Sequence, residues 1–151
     1  MKLEIEWQRP IVLKDGSNDG LIYNVDHDKL EQVSGVYVFG RRYGAKIEAL
    51  YVGKATSIRG RVKAQMKNLP LMLHAQQARN GKRVLMVGYF RSKSPDKQKK
   101  CLPIIERALI RYFLSEGHDL VNVQGTRLRR HEILSSGPQK TVPELMYVDR
   151  A

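Results

Sequence analysis

Apolar and polar residues alternate at the start of the chain (Leu3, Ile5, Trp7), and Ile11-Val12-Leu13 follows. Alternation with period two marks half-buried strand, so one or two short strands are expected over 3–13. Asp15 to Gly20 is loop by composition, and residues 26–33 suit one short helix. Gly35-Val36-Tyr37-Val38-Phe39-Gly40 reads as a strand, 41–46 with Gly44 as a turn, and 47–53 as the partner strand of a hairpin. Ser57 is a good N-cap, and Ile58, Val62, Met66 and Leu69 fall at i, i+4, i+8 and i+11, the stripe of one helix. Residues 71–80 continue as helix to Gly81, and Arg83 to Phe90 is a buried third strand. Ser94-Pro95 opens another helix, with a restart at Pro103 allowed for; 104–116 is strongly helical and Gly117 stops it. Residues 120–125 read as a short extended piece. The expected fold is α/β: a small three-stranded antiparallel sheet flanked by helices. Residues 1–34 form an N-terminal extension, 35–125 the main domain, and 126–151 a basic appendage.

The chain has 151 residues, enough for one domain with a real core. Charge changes the picture. There are 27 Lys and Arg against 15 Asp and Glu, a formal net charge of +12. Such a field attracts polyanions, with nucleic acid the first candidate and a membrane surface the second. One cysteine, Cys101, excludes an intrachain disulfide, which fits a reducing compartment. Cys101 reads as a helix-packing thiol. The N-terminus lacks the apolar run of a signal peptide, and no stretch is long enough to span a bilayer, so a cytoplasmic protein is expected. The four histidines show no metal-ligand spacing, and His74 and His118 read as surface residues.

Candidate chemistry lies in two tripeptides, Gly35-Val36-Tyr37 and Tyr51-Val52-Gly53, each with a tyrosine beside a glycine at a strand edge. Glycine admits close approach of another group, and the paired tyrosines are able to line one pocket. Lys54 follows at once. A phenol has a pKa of about 10, and a nearby cation lowers it. Arg61 lies on the flank of the helical stripe; its planar fork suits phosphate oxygens, or it simply snorkels to solvent. Glu106 interrupts an apolar stripe of Leu102, Leu109, Ile110 and Phe113, so it requires a cation, either a basic side chain or a metal. Mg²⁺ needs only one or two protein carboxylates. Asn122 is a polar residue in the apolar run Leu120-Val121-Asn122-Val123. Lys97, Lys99 and Lys100, with Arg127, Arg129 and Arg130, form two basic runs, each either a solvated face or a set of DNA-backbone contacts.

Together these residues resemble the GIY-YIG nuclease family. Gly35-Val36-Tyr37 matches its first signature and Tyr51-Val52-Gly53 its second; residues 51–62 look especially like the nuclease module of the bacterial excision-repair incision subunit. Through that match Arg61, rather than Arg59, falls on the catalytic arginine, Glu106 on the metal-binding glutamate, Asn122 on the closing asparagine and Lys54 on a lysine found in some members. The likeness covers roughly 35–123. It implies a metal-dependent endonuclease that hydrolyses DNA, double-stranded by preference, with Mg²⁺ or Mn²⁺. Tyr37 would act as base, assisted by Tyr51 and Lys54; Arg61 would steady charge on the phosphate, and Glu106 would hold the metal. Double-strand cutting by a one-metal site often takes two copies, so a homodimer is an open possibility. A position that often holds histidine carries Gln65. The rival readings are a non-catalytic nucleic-acid-binding module on the same fold and a basic protein–protein adaptor. The nuclease reading requires Tyr37, Tyr51, Arg61, Glu106 and Asn122 to converge.

Overall fold

In a computed structural model of the chain, residues 1–122, 127–128 and 131–148 are described. The described residues form a mixed α/β architecture with three α-helices and antiparallel sheets. Short strands β1 (Glu6–Trp7), β2 (Ile11–Val12), β3 (Lys14–Asp15) and β4 (Tyr23–Asn24) precede the long hairpin of β5 (Gly35–Tyr43) and β6 (Lys46–Ala55). Helices α1 (Ile58–Gln65) and α2 (Leu69–Gln77) lead to β7 (Lys82–Tyr89) and α3 (Pro95–Ser115). A last hairpin pairs β8 (His131–Leu134) with β9 (Leu145–Val148).

The three expected strands are present as β5, β6 and β7, but the main sheet has five. β1 and β2 both pair with β7, giving the order β1-β7-β5-β6 with β2 beside β7. The N-terminal segment thereby covers an edge that would otherwise be open to other chains. Arg91 clasps the arrangement by pairing with Glu6 at 3.1 Å and Glu31 at 2.9 Å. The expected helix over 26–33 is a single 3-10 turn, His27–Lys29.

The stripe running from Ile58 to Leu69 is divided between two helices. Asn68 caps α2 by accepting from the Leu71 N–H, and Pro70 sits in its first turn. A proline is most easily accommodated in a first turn, where its missing N–H is not needed, and the chain turns between Met66 and Leu69 so that Pro70 falls there. α2 ends at Gln77, short of Gly81, and Arg83 closes it by donating to the carbonyls of Ala75, Gln76 and Ala78. α3 runs through Pro103 without restarting.

Each sheet face has its own core. Tyr37, Phe39, Tyr51, Leu85 and Val87 pack with Ile58 and Val62 of α1, its C-cap Met66, and Leu71 and Met72 of α2. On the other face Val36, Val38 and Val52 pack against Leu102, Ile105 and Leu114 of α3, and Cys101 is a buried thiol there, as expected. No helix of the described residues is long and apolar enough to cross a membrane.

Candidate functional site

The two tripeptides interlock. Tyr37 and Gly53 are cross-strand partners, and the Tyr37 ring lies over Gly53 where a Cβ would stand 2.4 Å from Cζ and from the hydroxyl oxygen. Gly35 meets the β7 side just as tightly, since a Cβ there would be 2.1 Å from the Gly88 carbonyl oxygen. These glycines are needed for close approach, not for left-handed backbone.

Tyr37 and Tyr51 stack on the α1 face with ring centroids 5.9 Å apart. The side-chain amide of Gln65 donates to both hydroxyls, at 2.8 Å to Tyr37 and 3.3 Å to Tyr51. Gln65 is itself buried, and Asn68 donates to its oxygen at 3.0 Å. Burial pushes the Tyr37 phenol well above its ordinary value, and Tyr51 adds to the rise; the Gln65 amide and the charge of Arg61 oppose it. Tyr37 therefore stands as a neutral phenol in this structure. Tyr51 is the less enclosed of the two, at 8% exposure against 1%.

Arg61 and Arg59 separate cleanly. Arg59 donates to the Leu30 carbonyl at 2.6 Å and fastens α1 to the preceding loop. Arg61 is exposed, and its guanidinium has no partner among the described residues. It is the cation of α1 whose field reaches the Tyr37 phenol.

Lys54 and Glu106 form the second half. Lys54 Nζ lies 3.2 Å from Glu106 Oε1, with side chains 42% and 23% exposed. The cation that Glu106 requires is here a lysine. Lys54 pairs in register with Val36, and Val36 packs against α3. The Lys54–Glu106 pair thus belongs to the α3 face, opposite the phenols and Arg61. The expected convergence on one closed pocket is therefore not seen for the phenols, Arg61 and Glu106, because alternation along β6, an edge strand of the sheet, puts Lys54 and its partner Glu106 on the face opposite Gly53 and the phenols.

Asn122 follows Val121, whose N–H donates to the Leu50 carbonyl at 3.0 Å beside Tyr51. Val121 packs in the same cluster as both phenols. The strand end is held further by His118, whose Nδ1 accepts from the Ala49 N–H at 2.8 Å. His118 was expected at the surface but is half-buried, and burial lowers its pKa. Neither this role nor the hydrogen bonds of Gln65 could be read from the sequence, because both depend on contacts between distant segments; the resemblance marked the Gln65 position only as one that often holds histidine.

Of the basic runs, Lys97, Lys99 and Lys100 are exposed on the first turns of α3. Lys97 and Lys100 border a cleft of about 890 Å³ between the N-terminal segment and α3, together with Lys93 and Arg91. Arg127 pairs with Asp119 at 3.3 Å on the surface. Arg129 and Arg130 lie outside the described residues.

Among the described residues no three of His, Cys, Asp and Glu come together. Glu106 offers one part-exposed carboxylate, the smallest donor set that Mg²⁺ or Mn²⁺ accepts when water and phosphate oxygens supply the rest. The donor chemistry fits on those terms. Comparisons of the chain with protein-family models, curated proteins and solved structures found no match.

Proposed function

We propose that the protein is a metal-dependent endonuclease of the GIY-YIG type, acting on the phosphodiester backbone of double-stranded DNA. The observation that carries this reading is the interlocking of the two tripeptides. The Tyr37 phenol occupies the space that Gly53 leaves, while an arginine with no partner among the described residues stands on the next helix and a lysine–carboxylate pair lies one residue away on the other face. A scissile phosphate laid across the β6 end would meet Arg61 from one side and Lys54 and Glu106 from the other.

The roles follow from the environments. Arg61 binds phosphate oxygens and stabilises the charge that builds on phosphorus, usually the largest contribution to such catalysis. Tyr51, the outer phenol, takes the base role expected of Tyr37, because burial holds Tyr37 neutral; as phenolate it would accept the proton of the attacking water, with Tyr37 behind it in the same hydrogen-bonded group. Lys54, long and partly exposed, exchanges its contact with Glu106 for a phosphate oxygen. Glu106 would hold the Mg²⁺ or Mn²⁺, which when bound supplies positive charge to the departing oxygen. Asn122 closes the β6 side. Lys97, Lys99, Lys100 and Arg127 hold the flanking backbone, and the +12 net charge draws the duplex in.

Two observations favour the rival, a non-catalytic binding module: Glu106 is already paired with Lys54, and Tyr37 is held neutral by burial. Incubating supercoiled plasmid with the protein and Mg²⁺, Mn²⁺ or chelator separates the two. Nicking with metal and none with chelator is expected. DNA retention without nicking in either metal would leave the binding module standing.

A further inference from the structure

We propose that Gln65, oriented by Asn68, is the positioning residue that holds both phenols of this site as hydrogen-bond acceptors. A backbone group fixes the arrangement. The first N–H groups of a helix lack intrahelical acceptors, and that of Leu71 finds Asn68 Oδ1 at 3.3 Å. A backbone N–H is a donor in any conformation, so Asn68 must present its oxygen to α2. Its Nδ2 is then turned to Gln65 Oε1, 3.0 Å away. With that oxygen taken, Gln65 presents Nε2, whose two hydrogens meet two hydroxyls at 2.8 and 3.3 Å. Reversing the Gln65 amide would set nitrogen against nitrogen in a buried place and leave polar groups unsatisfied.

The relay has a chemical consequence. Hydrogen bonds donated to a phenol oxygen favour its ionised form. Gln65 therefore partly offsets what burial does to Tyr37. A histidine at this place would also donate, but it would titrate at about 6.5. Gln65 donates at every pH and never takes up a proton, so no acid limb arises from this position. The catalytic consequence rests on the nuclease reading; the orientation of the phenols does not.

Tyrosine labelled with ¹³C at Cζ, in the full chain, reports the hydrogen-bond state of each phenol by NMR. Asn68→Ser keeps an oxygen at the α2 cap but removes the amide donor. The Tyr37 and Tyr51 signals are expected to shift in Asn68→Ser, although Asn68 touches neither ring. Gln65→Leu should shift them too, and the double variant should match Gln65→Leu alone, because the relay is already cut. On plasmid, each variant should lose about tenfold in kcat with KM unchanged, the loss of roughly one hydrogen bond. Wild-type signal positions in folded Asn68→Ser, or additive shifts in the double variant, overturn the proposal. If Asn68→Ser does not fold, Gln65→Glu decides: it keeps the shape but faces both hydroxyls with oxygen, and unmoved signals sink the idea. Should the wild-type protein never cut DNA, the NMR arm still stands and only the nuclease reading falls.

Discussion

The ring of Tyr37 covers the α-carbon of Gly53, its partner on the adjacent strand, with no room for a side chain between them. Gly53→Ala would force a Cβ to within 2.4 Å of a ring that is 1% exposed. Overpacking of this kind costs about 1–3 kcal/mol. Chemical denaturation should show that loss for Gly53→Ala. Gly60→Ala is the contrast, since its Cβ meets only Ser57 Oγ at 3.7 Å within α1, and replacing a helical glycine should stabilise by about 0.5–1 kcal/mol. Equal effects from both changes would mean that the close approach is not what fixes Gly53.

Arg61 allows activity to be separated from stability. It is exposed and pairs with nothing among the described residues, so Arg61→Ala should change unfolding free energy by no more than about 0.5 kcal/mol. If it steadies charge on the phosphate, cleavage should fall on the order of 10²–10³-fold. Arg59→Ala should do the reverse, because it removes the tie to the Leu30 carbonyl. Plasmid nicking rates beside melting curves for the two variants decide the matter.

The hairpin, the third strand and α3 were legible because period-two and period-3.6 patterns depend on local sequence. Pro70 was the signal that α1 and α2 are separate helices, and the regular spacing from Ile58 to Leu69 concealed it. The strands β1 and β2 were expected, but not their place on β7, since pairing between distant segments leaves no local mark. The site divided in the same way. Residue types and order pointed to Tyr37, Tyr51, Arg61 and Glu106. The alternation that points Lys54 and Gly53 to opposite faces of β6 was equally readable, and it places Glu106 across the sheet from the phenols.

Lys54 and Glu106 make a partly exposed pair, and such pairs contribute about 0–1 kcal/mol. Glu106→Gln should therefore leave the fold nearly intact. Under the nuclease reading it should abolish the response of cutting to Mg²⁺ while sparing DNA affinity, measured by filter retention with and without metal. Unchanged metal-dependent nicking would remove Glu106 from the site.

The cations at the start of α3 should act through salt. If Lys97 and Lys100 meet phosphates, each alanine replacement lowers the slope of log affinity against log salt by about one unit. The Arg127→Ala change tests the second run in the same way, although its pairing with Asp119 predicts a smaller effect. Slopes equal to wild type in a titration from low to moderate salt would return these lysines to the role of a solvated face.

His118 makes the fold sensitive to acid. Its Nδ1 must be unprotonated to accept from the Ala49 N–H, and burial lowers its pKa, with Glu48 and Glu116 opposing. The folded state thus binds the proton less readily than the unfolded chain, so this contribution to stability is complete above the ordinary imidazole value of about 6.5 and is lost as pH falls toward the lower folded value. His27 acts in the same direction: burial and the nearby Lys63 lower its pKa against Asp26 and Asp28. The carboxylates of Glu6 and Glu31, held low by Arg91, contribute their own loss only at more acidic pH. Melting temperature should therefore fall between pH 7.5 and 5.5, and His118→Gln should remove part of that fall while costing stability at neutral pH. A His118→Gln profile parallel to wild type across this range would show that the imidazole does not titrate with unfolding.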